Sequence, residues 1–409
     1  MVVSLKRVNY KIKNERRKHY EKTNYFDPCC VLHVPAAFAA GTDAHVTSLD
    51  ELNSALDDAG ITTIYLDNDI SLGSTTLTID RGVTIDGTTA KNALNYTGTS
   101  TSYYAIDVDT NEPVVLNNLE LNATNANGRG VGLVETSTKF TFSNSEMNVG
   151  NRGIGVVNSC DTNSYITISS SVIKNSQLPA GETYDTWVRY GDTRGISLWN
   201  MDNAEVTISD SEILGFGYTI NLAGTEVNGI RDYNGTTVSV TNSKLKGWTA
   251  FNIWSCDTVF DIEDSELRGI NISNGSSDGF AAIVFNNNIY GGNGAVCPAD
   301  AQPNTMTIAG GSVGGYQYGT AGENLIRVGN QLATIFKFES SPTMLTPIVF
   351  SSNVENYEFS FLYNPNMTNA DIEEYLADPD WVSGLENIRS FFGPANALMI
   401  GRPIYQIID

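Results

Sequence analysis

One eight-residue phrase recurs along the chain. It occupies Val114–Leu121, Phe140–Met147, Ile166–Ile173, Val206–Ile213, Val238–Leu245, Phe260–Leu267 and Met306–Val313. Val115 and Leu119 aside, each copy reads apolar, polar, apolar, three small or polar residues, any residue, then an apolar one. The apolar pair at period two predicts a half-buried strand. The Ser, Asn, Asp or Gly residues that follow predict a turn, because these side chains bond nearby backbone or accept a left-handed conformation. The final apolar residue opens the next strand. A second strand pattern precedes most copies, at Gly153–Val157, Gly195–Trp199, Tyr218–Leu222, Ala250–Trp254 and Ala281–Phe285. The sixth residue of the phrase falls at 119, 145, 171, 211, 243, 265 and 311, so the spacings are 26, 26, 40, 32, 22 and 46. The shortest predicts a bare coil. Longer ones imply insertions at turns or, for the last, a coil that the pattern misses.

Short strands separated by polar turns cannot close a local core, whereas stacking each coil on the next buries their inward side chains in one column. Neighbouring strands would then run parallel, about 4.8 Å apart. A β-sandwich would require longer strands with hairpin turns, and a propeller a period near 40. The pattern resembles the right-handed parallel β-helix of the pectate-lyase-like superfamily over roughly residues 60–350, so the expected fold is an all-β solenoid of that type.

A solenoid needs covered ends. Ser48–Ala59 predicts a capped amphipathic helix, with Ser48 as N-cap, Glu51 completing the capping box and Gly60 ending it. Leu49, Leu52, Ala55 and Leu56 form its apolar face, and a first strand follows from Thr63 to Leu66. Similar helix-plus-strand openings occur in bacterial secreted proteins with pectate-lyase-like adhesive domains. The far end predicts helices over 369–376 and 381–392 and an extended tail over 399–408. The expected organisation is a leader at 1–39, an N-terminal cap at 40–62, the β-helix at 63–350 and a C-terminal cap and tail at 351–409.

Charge supports that division. The 409 residues carry 24 Lys plus Arg against 46 Asp plus Glu, a formal −22. Eight of the bases lie in residues 1–40. They precede a short apolar run from Cys29 to Ala39 that ends on the small-x-small triplet Ala37–Ala39. This predicts an export signal and a secreted or cell-surface location. The strong negative charge repels nucleic acid, and no stretch of about 20 apolar residues predicts a membrane-spanning helix. Past the leader only His45, Cys160, Cys256 and Cys297 remain among His and Cys. That set excludes Ser-His-Asp, Cys-His and His-rich metal chemistry, apart from His45 itself. A monomer is expected.

Candidate chemistry lies on outward side chains and turn insertions. Residues 175–194 hold Asp185, Trp187, Arg189, Tyr190, Asp192 and Arg194, and residues 223–236 hold Glu226, Arg231, Asp232 and Tyr233. Strand alternation points Ile196 and Leu198 inward and Ser197, Trp199, Asn221 and Trp254 outward. Trp199 and Trp254, two rungs apart, are expected on the order of 10 Å from one another. Trp187, Tyr190, Trp199, Asn221 and Trp254 are therefore the candidate contacts to a polysaccharide or host-surface glycan, by stacking on sugar rings. Arginines beside them suit carboxylates. The alternative is that these aromatics pack beneath the insertions. The resemblance to polysaccharide lyases implies a second activity, Ca²⁺-dependent β-elimination of a uronate-containing glycan. Asp192, Asp202, Glu226 and Asp257 would then supply Ca²⁺ oxygens, and Arg189, Arg194 or Arg231, with Asp232, the acid–base chemistry. Glycoside hydrolysis is a further possibility for the fold. The family's Trp-x-Asp-His and Arg-x-Pro-x-x-Arg phrases are absent, as are Gly-His-Gly and Arg-Ile-Lys. The favoured expectation is adhesin-like binding with no required cofactor.

Overall fold

In a computed structural model, the repeated phrase becomes the corner of a parallel coil. The structure describes residues 42–271, with breaks at 136, 158–163, 200, 225, 228–229, 232–234 and 256. Beyond these it describes 282–285, 304–317, 320–321, 326–328, 334–339, 343–344 and 358–361. The expected leader and the two C-terminal helices and tail lie outside the described residues.

Each coil contributes strands to three stacks. The first is a sheet of 12 strands from Thr42–Val46 to Glu358–Phe361, and it contains the opening of every phrase: Pro113–Asn117, Lys139–Ser143, Tyr165–Ser169, Glu205–Ser209, Thr237–Thr241, Val259–Glu263 and Asn304–Ala309. Pairing is parallel and in register, Phe140 on Ile166, Ile166 on Val206, Val206 on Val238, Val238 on Phe260 and Phe260 on Met306. These residues and their i+2 partners are buried in a single core column. Burying each such side chain contributes about 1.5–3 kcal/mol. The fold is thus a parallel β-helix.

The turn behaves as its residues dictate. Asn118, Asn144, Ser170, Asp210, Asn242 and Asp264, the fifth residue of successive phrases, have φ between 47 and 50°, and Gly310 has φ 62°. This left-handed step bends the chain from the first stack into the second, which holds Glu120–Ala123, Glu146–Val149 and Val172–Asn175. The sixth residue forms a buried hydroxyl ladder. The backbone N–H of Ser145 donates to Ser171 Oγ, that of Ser171 to Ser211, that of Ser211 to Ser243, and that of Ser243 to Ser265, each at 3.1 Å. Each serine Oγ donates in turn to the carbonyl two residues earlier, at 2.6–2.7 Å.

The third stack runs through Ile106–Val108, Arg129–Leu133, Arg152–Val156 and Arg194–Trp199. Two long strands, Glu212–Ala223 and Lys244–Trp254, then cross from the second stack into the third, shifting register between Leu214 and Phe216. Gly215 at φ 80° permits that bulge.

Three boundaries differ from expectation. Thr42–Val46 already pairs in parallel with Ile61–Leu66, so the sheet starts ahead of the cap helix. That helix, Leu49–Asp57, is capped by Ser48 as expected, but Glu51 bonds the backbone N–H of Thr47 rather than that of Ser48. Its C-terminal carbonyls are held by Arg81, whose guanidinium reaches Ala55, Leu56 and Ile61 at 2.6–2.8 Å. Finally, Val259–Glu263 pairs directly with Asn304–Ala309, so the 46-residue spacing is an insertion and not a missed coil. The sheet also continues past residue 350, through Glu358–Phe361.

Candidate functional site

The outward side of the third stack carries aligned rows of side chains. Ile196, Leu198, Ile220 and Leu222 point into the core, as alternation requires. The residues between them form the opposite row: Ser197 pairs with Asn221, and Asn221 with Asn252. Asn252 Nδ2 donates to Asn221 Oδ1 at 2.7 Å. Asn221 itself is 1% exposed, and its Nδ2 has no hydrogen-bond partner. This polar floor lies between two walls.

One wall is aromatic. Trp199, Ala223 and Trp254 are successive register partners. The small alanine lets the half-buried indoles lean together, with centroids 6.2 Å apart and planes tilted by 58°. They form one touching pair, not the two platforms about 10 Å apart that rung spacing suggests. The other wall is Arg194 and Tyr218, also register partners. Arg194 donates to Asp192 at 2.6–2.8 Å and to Ser197 Oγ at 3.0 Å, and lies 5.6 Å over the Trp199 ring. Burial, then repulsion from Arg152, holds its guanidinium below the usual range.

The insertion at 175–194 divides its candidates differently. Arg189 donates through Nη1 to the carbonyls of Ala126 and Gly150, and its backbone N–H bonds the Gly215 carbonyl. Its guanidinium thus staples the insertion to two turns. Val188 joins Trp248, Ile270 and Val284 in a second apolar cluster, against which Tyr218 packs. Tyr190 meets Trp248 edge-on at 4.9 Å yet remains 60% exposed. Trp187 lies 6.4 Å from Tyr184, away from the paired tryptophans. Packing beneath the insertion therefore accounts for Val188 and Trp248, while Trp199 and Trp254 pair with each other on the third stack.

Of the acids expected to bind Ca²⁺, the side chains of Asp192, Asp202 and Asp257 are among the described residues. Asp192 is engaged by arginines, Asp202 is buried, and Asp257 sits at a left-handed turn position. Glu226 and Arg231 are opposite each other in a two-strand hairpin, and Asp232 lies outside the described residues. Among the described residues, no group of three or more His, Cys, Asp or Glu is placed to hold a metal ion.

Sequence reasoning placed Ser197 outward without selecting it as a contact, and overlooked Tyr218 and Asn252, although both follow from the register of residues it did select. It also overlooked Arg129 and Arg152, which are register partners of one another and of Arg194. Their signal is an Arg-Gly pair, at Arg129-Gly130, Arg152-Gly153 and Arg194-Gly195.

The stacked parallel coils and their outward side-chain rows define a parallel β-helix. Residues 43–155 match the model of the pectate lyase-like adhesive domain family. That stretch contains Arg129 and Arg152 and ends before Arg194, Trp199, Asn221 and Trp254. A search of curated proteins and one of solved structures each gave no match. The adhesive-domain match points to a surface or extracellular protein, and among the described residues no helix is long and apolar enough to cross a membrane.

Proposed function

We propose that this chain is a secreted or surface-displayed β-helix that binds polysaccharide or host-surface glycan through the outward face of its third stack, without turning the ligand over. The observation that carries the reading is the Trp199–Trp254 pair, half-buried and touching, with Arg194 over one ring and a polar floor beside it. Indole faces pack on the apolar faces of sugars, and neighbouring amides and guanidinium groups take their hydroxyls. The match of residues 43–155 to an adhesive domain supports the same reading. The ligand-facing role falls to Trp199, Trp254 and Arg194. Tyr190 contributes a second exposed ring, whereas Arg189 holds the insertion in place.

The test is retention of the full chain on a glycan array, compared with Trp254→Ala and Trp199→Ala. Loss of one stacking ring is expected to weaken retention about tenfold while circular dichroism stays sheet-like. Undiminished retention by both variants would overturn this placement. Release of an unsaturated product from any retained uronate polymer would overturn the binding-only reading.

A further inference from the structure

Arg129, Arg152 and Arg194 occupy one outward row on three consecutive coils. Register places their Cα atoms about 4.8 Å apart in sequence. Like charges at that spacing repel one another, and the guanidinium groups of Arg129 and Arg194 are both held below their usual range, first by burial and next by Arg152. The chain as a whole is strongly acidic, yet little of that acid reaches this row. Asp192 alone contacts it, 2.6 Å from Arg194 and 3.4 Å from Arg152, and that carboxylate is 61% exposed. Among the described residues no other carboxylate forms an ion pair with the three arginines.

The Arg129 side chain makes neither a hydrogen bond nor an ion pair among the described residues. Its guanidinium lies 5.4 Å from the Tyr104 ring, which offers a π face. The Nε atoms of Arg129 and Arg152 are buried without partners. So is the hydroxyl of Tyr104, a residue only 3% exposed. That hydroxyl is pressed against Gly155, where an added Cβ would come within 2.1 Å of it. Unsatisfied donors on two of three stacked cations, beside a buried unpartnered hydroxyl, suit an acceptor from a ligand.

We propose that the Arg129–Arg152–Arg194 column binds an oxyanion, the sulfate or carboxylate group of a polyanionic chain. Each guanidinium can present two parallel N–H groups to such a group, and a chain laid along the axis can engage successive arginines. The proposal shares Arg194 with the proposed glycan face but rests on Arg129 and Arg152, which that face does not use, so a test at Arg129 can fail while the tryptophan reading stands, and the reverse.

The experiment measures binding of immobilised full chain to dextran sulfate, which carries only sulfate, to hyaluronan, which carries only carboxylate, and to neutral dextran, at low and high salt. At least one polyanion is expected to bind and dextran is not, with binding weakened by salt. Arg129→Gln is expected to reduce polyanion binding about tenfold. Because the Arg129 guanidinium has no hydrogen-bond or ion-pair partner among the described residues, the same variant should keep or raise the thermal midpoint. Arg268→Gln removes an arginine already paired with Glu266 at 2.8 Å on the second stack, and should bind as the parent does. Comparison of dextran sulfate with hyaluronan tells which group the column takes. Equal polyanion binding by Arg129→Gln and the parent would overturn the proposal, as would failure of both polyanions to bind at low salt. A lowered midpoint for Arg129→Gln would make the residue structural, with the same consequence.

Discussion

The hydroxyl ladder can be tested at its second rung. Ser171 is 2% exposed; its Oγ donates to the Ser169 carbonyl at 2.7 Å and accepts the Ser145 N–H at 3.1 Å. In Ser171→Ala, the Ser169 carbonyl keeps its bond from the Asn144 N–H at 3.0 Å. The Ser145 N–H keeps nothing. The loss is therefore one buried backbone donor left without an acceptor, which costs about 2 kcal/mol. Ser176→Ala is the control, since its hydroxyl bonds Thr124 on the exposed surface at 3.0 Å, and surface substitutions of that kind stay within about 0.5 kcal/mol. Urea denaturation of the full chain compares the two, and amide exchange at Ser145 locates the damage. Because coils of a solenoid are coupled mainly to their neighbours, the faster exchange should be confined to rungs near Ser145. If Ser171→Ala and Ser176→Ala denature alike, the ladder contributes nothing to stability and its regular geometry follows from backbone stacking alone.

Two further substitutions probe the third stack. Gly155→Ala should destabilise by about 1–3 kcal/mol through overpacking, since its Cβ would lie 2.1 Å from Tyr104 Oη. Tyr104→Phe, which removes that oxygen, should be near-neutral alone and should rescue Gly155→Ala in thermal melts. Asp107 supplies a pH signature. Its carboxyl is pushed up to about 6, first by burial and then by the charge of Asp109. The folded state therefore binds this proton more tightly than the unfolded one. Its stabilising contribution is complete at acid pH and is lost as pH rises from about 4 to about 6. Asp107→Asn should flatten that fall in thermal midpoint, and an unchanged pH slope would refute the assignment.

Whether a residue could be placed from sequence depended on whether its position repeats. The first stack was legible because every copy of the phrase pairs a buried apolar doublet with a turn residue able to reach positive φ, and neighbouring copies meet in register. The earliest coils escaped notice. Val83–Asp86 carries the doublet, but its turn runs Asp86-Gly87-Thr88, with positive φ at Thr88 and no serine rung. The outward placement of Ser197, Trp199, Asn221 and Trp254 was legible from alternation alone. The closeness of the indoles was not, because it depends on Ala223, a residue remarkable only for lacking bulk. Residues 175–194 have no period, so nothing in the sequence could assign Arg189 to two distant carbonyls or Val188 to Trp248. The arginine row was hidden differently. Its members lie 23 and 42 residues apart, unlike any spacing of the phrase, because the insertion at 175–194 falls between Arg152 and Arg194. Register restores an order that counting along the chain obscures: three arginines remote in sequence become consecutive steps of one column. Asp192 offsets their mutual repulsion at Arg152 and Arg194, and the proposed anion would offset it at Arg129 as well.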